Sequence, residues 1–360
     1  PQLGIILFFI ILAYAYMFPL LEGKEIRMAD IEHFKGMSKE IIDHRNETGE
    51  EPLWTNSMFG GMPGYLISAA YKGNLNREIQ WYFRKVFHPA SLLILYMVGF
   101  YILLSTLKVK RWLSVVGAIA FGLSSYFLII IGAGHNTKAY AIGYLGPVIA
   151  GVLLAFRGKP LAGSLLFSFA FSLELLANHL QITFYGGILI VLYGVIQFIF
   201  AIRQKELAQF FKPVLYLFAG AIIALGMNFS RLYTTWEYSK ETIRGPSELS
   251  SNNENRTSGL DKDYVVQWSY GIDETLTLLI PNFKGGSSTT TPGTDSESYR
   301  TMQQRGVQNV RRNIQAVSMY HGDQPSTSGP VYVGAIVVFL FVLGLFVVKG
   351  VYKWWLLAAT

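Results

Sequence analysis

A series of apolar runs, at roughly 3–21, 91–107, 112–131, 139–156, 161–177, 182–202, 213–230, 331–348 and 352–360, constrains this chain more than any motif in it. Most approach the ~20 residues that a helix needs to cross a bilayer, so the expected fold class is an all-α polytopic membrane protein. Composition agrees: hydrophobic residues make up 51% of the 360 and charged residues only 15%, where a soluble domain carries nearer a quarter. Cysteine is absent, which excludes disulfides, thiolate catalysis and cysteine metal sites. The net charge of +7 would suit a nucleic-acid binder, yet many of the cations stand in short loops between apolar runs. Lys108, Lys110 and Arg111, then Arg157 and Lys159, then Arg203, Lys205 and Lys212, then Lys349 and Lys353 all fall on one side if the spans alternate. That is a topology signal, not a footprint for a polyanion, and it marks this side as cytoplasmic. No nucleic-acid partner is expected.

The opposite side receives segment 22–90, the short turns near 132–138 and 178–181, and segment 231–330. Three regions follow: a transmembrane region 1–230 that includes the outer loop 22–90, an outer loop region 231–330, and further spans over 331–360. The chain opens on Pro1 within an apolar run and closes at Thr360 soon after its last run begins, so a piece of a longer protein is expected. The first run continues to Leu21 and is followed by Glu22, Gly23 and Lys24 instead of a small-residue cleavage pattern, which favours an anchor over a signal peptide. No internal repeat is visible. The Ser/Thr/Gly stretch at 285–298 is expected to be disordered.

Loop 22–90 is longer than a turn between spans requires. On a helix over 28–45, Asp30, Phe34, Met37 and Ile41 share one face, whereas Glu32, Lys35, Lys39 and Asp43 gather opposite as solvated pairs. An acid on the apolar stripe loses hydration and becomes a usable general base; alternatively, Asp30 caps the helix. Next comes EEPLWTNSMFGGMPGY, whose Gly60, Gly61, Pro63 and Gly64 predict tight turns beside Trp54 and Phe59. Residues 76–88 mix aromatics with Arg77, Arg84 and Lys85, the composition of a helix lying among lipid headgroups.

The short outer turns hold unusual polar groups. GAGHNTKAYA places His135, Asn136 and Lys138 where two spans meet, with the means to hold a phosphate. ELLANHLQITFY sets Glu174 inside an apolar run, with Asn178 at i+4 and His179 and Gln181 beyond. Glu174 reads either as a second active-site acid or substrate anchor, or as the buried partner of Lys138 or another cation. No HExxH or comparable spacing occurs, so no metal ligands are assigned. In segment 231–330, Asp261, Asp263, Tyr264, Trp268 and Tyr270 suit a carbohydrate surface, and Asn46, Asn228 and Asn255 head glycosylation sequons.

Taken together, DIEHFKG after the first span, EEPLWTNSMFGGMPGY, GHNTKAYA, ANHLQITFY and the WSYG to LIPNFKGG run resemble the YfhO-like membrane proteins, a branch of the GT-C glycosyltransferase superfamily. The resemblance covers nearly the whole chain. It implies a multi-span helical bundle with membrane-parallel helices in the first outer loop, which also carries the catalytic acid. It further implies a sugar donor carried on a polyprenyl phosphate, in the bacterial cytoplasmic membrane with the active site facing outward. Asp30 matches the family's acid, and His33 stands where the family pattern often has a Gln. The expected reaction is inverting transfer of a hexose to an extracytoplasmic glycan, glycolipid or protein acceptor, with membrane lipids as surroundings. Asp30 is the expected base; His33, Glu174, Asn178 and His179 are the expected substrate contacts; His135, Lys138 and Arg231 are expected at the donor phosphate. No cofactor is demanded, and a divalent metal is left open. The rival readings are a transporter or flippase of lipid-linked sugars and a non-catalytic envelope assembly protein.

Overall fold

The computed structural model describes residues 2–70, 73–242 and 262–360. Its helices, in chain order, begin with α1 (Gln2–Tyr16) and α2 (Phe18–Leu21). The first apolar run is thus divided at Met17, where Pro19 at the start of α2 supplies no backbone N–H to the preceding turn. The helix α3 (Ala29–Thr48) follows, ending on Gly49 in the left-handed region. A two-stranded antiparallel hairpin, β1 (Trp54–Thr55) with β2 (Met62–Pro63), leads to α4 (Leu75–Val86). The carboxylate of Glu40 on α3 holds the hairpin loop by accepting from Asn56 N at 3.2 Å and Ser57 N at 3.1 Å, and from the Thr55 hydroxyl. The apolar series then gives α5 (Ser91–Thr106), α6 (Arg111–Gly122), α7 (Ser125–Ala133), α8 (Asn136–Phe156), α9 (Pro160–Leu176), α10 (Leu180–Gln204) and α11 (Leu207–Met227). Beyond these lie α12 (Phe229–Ser239), α13 (Lys262–Val266), α14 (Glu297–Gln304), α15 (Val310–Ile314), α16 (Ala335–Val347) and α17 (Val351–Ala359).

Among the described residues, α8, α10 and α11 are long and apolar enough to cross a membrane, and the number rises to 5 if each of the pairs α4–α5 and α6–α7 is one span. The fold is that of an all-α membrane protein, with strands confined to the short hairpin. Contacts divide it into two units, one of residues 1–123, 130–236 and 347–360, the other of residues 124–129 and 237–346. The division after Trp236 differs from the expected one after residue 230, and the apolar run near 331–348 stays almost entirely with the second unit.

In the first unit α8 is the central helix: 72% of its apolar window is buried, against 17% for α10 and α11. Apolar side chains gain nothing from leaving lipid for one another, so close backbone approach at small residues must supply the packing. Pro147 cannot donate to the carbonyl of Gly143, and Gly99 of α5 lies directly against that carbonyl, where any Cβ would collide. Gly151 and Ala155 of α8 meet Gly163 and Phe167 of α9 in the same way. The outward faces of α10 and α11 carry exposed Phe184, Val191, Leu215 and Phe218, a surface that suits lipid and not water.

The aromatic and basic segment expected over 76–88 is helical, as α4. α4 meets α5 at 115° and so runs across the bundle axis. Asn74 caps it by accepting from Asn76 N at 3.1 Å and Arg77 N at 3.3 Å, and its side-chain amide donates to Met227 O at 3.0 Å. Asn76, buried, donates to Ser172 of α9. α4 is thereby tied across the ends of α9 and α11 as well as leading into α5.

The second unit corrects the expectation of disorder at 285–298. Gly286 N donates to Met319 O at 2.9 Å, Ser288 N to Thr327 O at 2.9 Å, and Ser296 caps α14 through Tyr299 N at 3.2 Å. A composition that reads as flexible thus has its backbone groups satisfied by a distant segment. Glu274 is 3% exposed and accepts from the Tyr320 hydroxyl at 2.8 Å, while Lys284 pairs with Asp273 at 2.5 Å. Burial, with the Glu274 carboxylate as acceptor, pushes the Tyr320 phenol up to about 12. Tyr264, Trp268 and Tyr270 are exposed in this unit, whereas Asp261 and the Asn255 sequon lie outside the described residues.

Candidate functional site

The site is built where the first turn of α3 meets the turn between α7 and α8. The backbone of that turn is fixed by Gly134 N donating to Ile131 O at 3.1 Å and His135 N to Ile130 O at 2.9 Å. Gly134 sits at φ +91°, and a Cβ there would stand 3.1 Å from Met28 Cβ and 3.3 Å from Asp30 Cβ. Only glycine meets both demands without strain, the left-handed backbone and the close approach of α3. The result is a 3.1 Å contact between His135 Nε2 and Asp30 Oδ2. With its proton on Nε2 the imidazole donates to the carboxylate, which orients both groups.

The environment of Asp30 differs from the one expected. Its side chain is 53% exposed, so it is not desolvated on an apolar stripe. The face of α3 that packs inward carries Ile31, Ser38 and Ile41, and Phe34 is exposed. The cap position belongs to Met28, which makes no side-chain cap, and Asp30 lies within the first turn. There an acidic side chain complements the partial positive charge of the helix end. The solvated pairs do form, Glu32–Lys35 at 2.8 Å and Lys39–Asp43 at 2.5 Å. His33 is exposed one turn along α3 from Asp30.

Lys138 lies in the first turn of α8, half-buried. It acts on His179, the residue before α10: burial first, then the positive charges of Lys138 and His135, holds the His179 imidazole below its ordinary value. Nε2 of His179 is buried and has no hydrogen-bond partner among the described residues. Asp30, His135, Lys138 and His179 therefore form one chain of neighbours at one end of the helices.

Three other expected residues make contacts within the helical framework. Glu174 is 1% exposed and accepts from the Thr183 hydroxyl at 2.9 and 3.0 Å. Among the described residues neither Lys138 nor another cation pairs with it, contrary to one of its two expected readings: the α9–α10 turn folds Thr183 over it, and the carboxylate ties the two helices together in an enclosed position. Asn178 is exposed at φ +57° and terminates α9 as the left-handed residue beyond its last turn. Arg231 Nη1 donates to Leu176 O at 2.7 Å, in the last turn of α9, and borders a cavity of about 320 Å³ with Asn74 and Asn228. Asn228 is buried, its amide donating to Ser172 O and Ala224 O, so its sequon is not presented for modification.

A cavity of about 420 Å³ adjoins the Asp30–His135 contact, bordered by Met28 at the cap of α3, Ile31 of α3 and Asn136 of α8. Its walls are apolar at Met17, Leu20, Leu92 and Ile131, and charged at Lys24, Lys35 and Arg84 with the acids Glu25 and Glu32 among them. The Arg84 guanidinium lies 5.2 Å from the centre of the Tyr140 ring, and Tyr140 shares a 3.2 Å hydrogen bond with Ser91. Sequence reasoning gave Arg84 to a lipid-contacting helix and assigned Tyr140 no role. The available signal was the pairing of a basic amphipathic helix with a tyrosine one turn after GHN.

Among the described residues, no group of three or more His, Cys, Asp or Glu side chains is placed to hold a metal ion. No family model, no curated protein and no solved structure matches the chain.

Proposed function

We propose that the chain is a GT-C type glycosyltransferase that moves a hexose from a polyprenyl phosphate to a cell-envelope acceptor, outside the cytoplasmic membrane of a bacterium. The observation that carries this reading is the Asp30–His135 contact beside a cavity with both apolar and basic walls. A polyprenyl phosphate needs that combination: apolar surface for the chain and cations for the phosphate. Asp30 accepts the proton of the acceptor hydroxyl, held in place by His135. The acceptor oxygen forms its bond to the anomeric carbon as the bond to the phosphate oxygen breaks on the opposite face, which inverts the centre. The leaving phosphate keeps the electron pair, and Lys138 and Arg84 stabilise its charge. The resemblance to YfhO-like proteins supports the same reaction, and the basic loops favour an outward-facing site.

Transport of a lipid-linked sugar is the second reading, favoured by the interruption of the apolar run 112–131 between Gly122 and Ser125. The two are separated by incubating the chain in membranes with a panel of polyprenyl-phosphate hexoses and a crude envelope acceptor. Transfer by the wild type that Asp30→Asn abolishes supports the enzyme. Sugar-lipid crossing the bilayer without transfer supports transport.

A further inference from the structure

We propose that the opposite end of the same unit holds an anionic phospholipid by its headgroup phosphate. A cavity of about 580 Å³ lies there between α1, α5 and α8, with apolar walls at Ile6, Val98 and Ile102. Its rim carries Lys108, Arg157 and Lys159, and no acidic side chain borders it. Among the described residues none of these cations lies within 4.0 Å of a carboxylate. Arg157 is held at the rim by donating to the Thr106 carbonyl, which leaves further N–H groups of its planar fork to engage a phosphate. The Tyr101 hydroxyl donates to Gln2 at 2.5 Å and fixes α1 against α5 as one wall.

Charge and shape together select the ligand. A free anion would gain nothing from the apolar walls, and a neutral lipid would leave the cations uncompensated. An anionic lipid satisfies both, its phosphate at the rim and its chains running along the exposed Leu3 and Leu7 of α1. Basic pockets between helices at a membrane surface recognise such headgroups. The assignment is independent of the reading given to the Asp30 site.

The test is native mass spectrometry of the full chain purified in detergent and supplied with phosphatidylglycerol or phosphatidylcholine. The variant is Lys108→Gln with Lys159→Gln, which spares Arg157 and its bond to Thr106. Arg203→Gln with Lys205→Gln removes the same charge from the α10–α11 turn and serves as control. Wild type and control should retain phosphatidylglycerol about tenfold more than phosphatidylcholine, and the Lys108/Lys159 variant should lose that preference, as expected for two basic residues near one anionic headgroup. Equal retention of the two lipids by the wild type overturns the proposal. So does an undiminished preference in the Lys108/Lys159 variant, an equal loss in the control, or displacement of the lipid by millimolar inorganic phosphate.

Discussion

The two ends of the first unit carry cations in different company. At the Asp30 end, His135 faces a carboxylate at 3.1 Å, Lys35 is paired with Glu32, and Arg84 lies over the Tyr140 ring. At the other end, Lys108, Arg157 and Lys159 border a cavity with no acid. Mixed charge holds side chains in fixed mutual orientation, which proton transfer requires. Charge of one sign leaves the groups open to an anion supplied from outside. On the two proposals made above, the same residue types serve chemistry at one end and adhesion at the other, and neighbours decide which.

The largest test of this contrast is Asp30→Asn, which keeps the size and removes the proposed base. Sugar transfer should fall by roughly 10²- to 10⁴-fold, the usual contribution of a positioned general base, with the helical content by circular dichroism unchanged. A matching loss from Lys108→Gln with Lys159→Gln would break the contrast, since that variant should transfer at the wild-type rate. Lys138→Gln should act next in size. Initial rates against donor concentration should show a loss of about tenfold to a hundredfold in kcat/KM, less than the full effect of removing a preorganised donor because Arg84 remains.

The smallest effect is on stability against pH. His179 is held below its ordinary value of 6.5 by burial and by the charges of Lys138 and His135. Below pH 6.5 the unfolded chain takes up a proton there before the folded one does, so stability present above that pH declines as pH falls through the lower folded value. Thermal unfolding between pH 7 and pH 5 should show a fall in Tm that is reduced in His179→Gln. Lys138→Gln should reduce it too, by allowing His179 to protonate in the folded state. Lys108→Gln, at the opposite end of the unit and away from His179, should leave the profile unchanged.

Much of the framework was legible in the sequence. The apolar runs became helices because their length and composition leave few other ways to satisfy the backbone in lipid. Residues 76–88 carry their amphipathic pattern locally, and they form α4, which meets α5 at 115°. The pairs Glu32–Lys35 and Lys39–Asp43 are a matter of helical spacing. Asp30, His135, Lys138 and His179 were each recognisable as ionisable groups near the ends of apolar runs. Their contact was not, because it depends on Gly134 bringing α3 against a turn far along the chain. The rotation of α3 was also hidden: a stripe through Phe34 and one through Ile31 and Ser38 both fit the pattern, and the neighbouring turn selects the second. Glu174 read as an active-site acid or substrate anchor, or as the partner of a cation, and nothing in the spacing marked the Thr183 hydroxyl that meets it. At 285–290 and 319–327, single-sequence composition says nothing of which distant carbonyl receives each N–H.

The central claim is that Asp30 and His135 act as one unit. The most direct measurement is single-turnover sugar transfer by Asp30→Asn, His135→Gln and the double variant. If the two side chains work through their mutual contact, the double variant should be no slower than Asp30→Asn within about threefold, because removing either breaks the same device. Losses that multiply, or a His135→Gln variant as fast as the wild type, would show that the two residues act separately and would contradict the account.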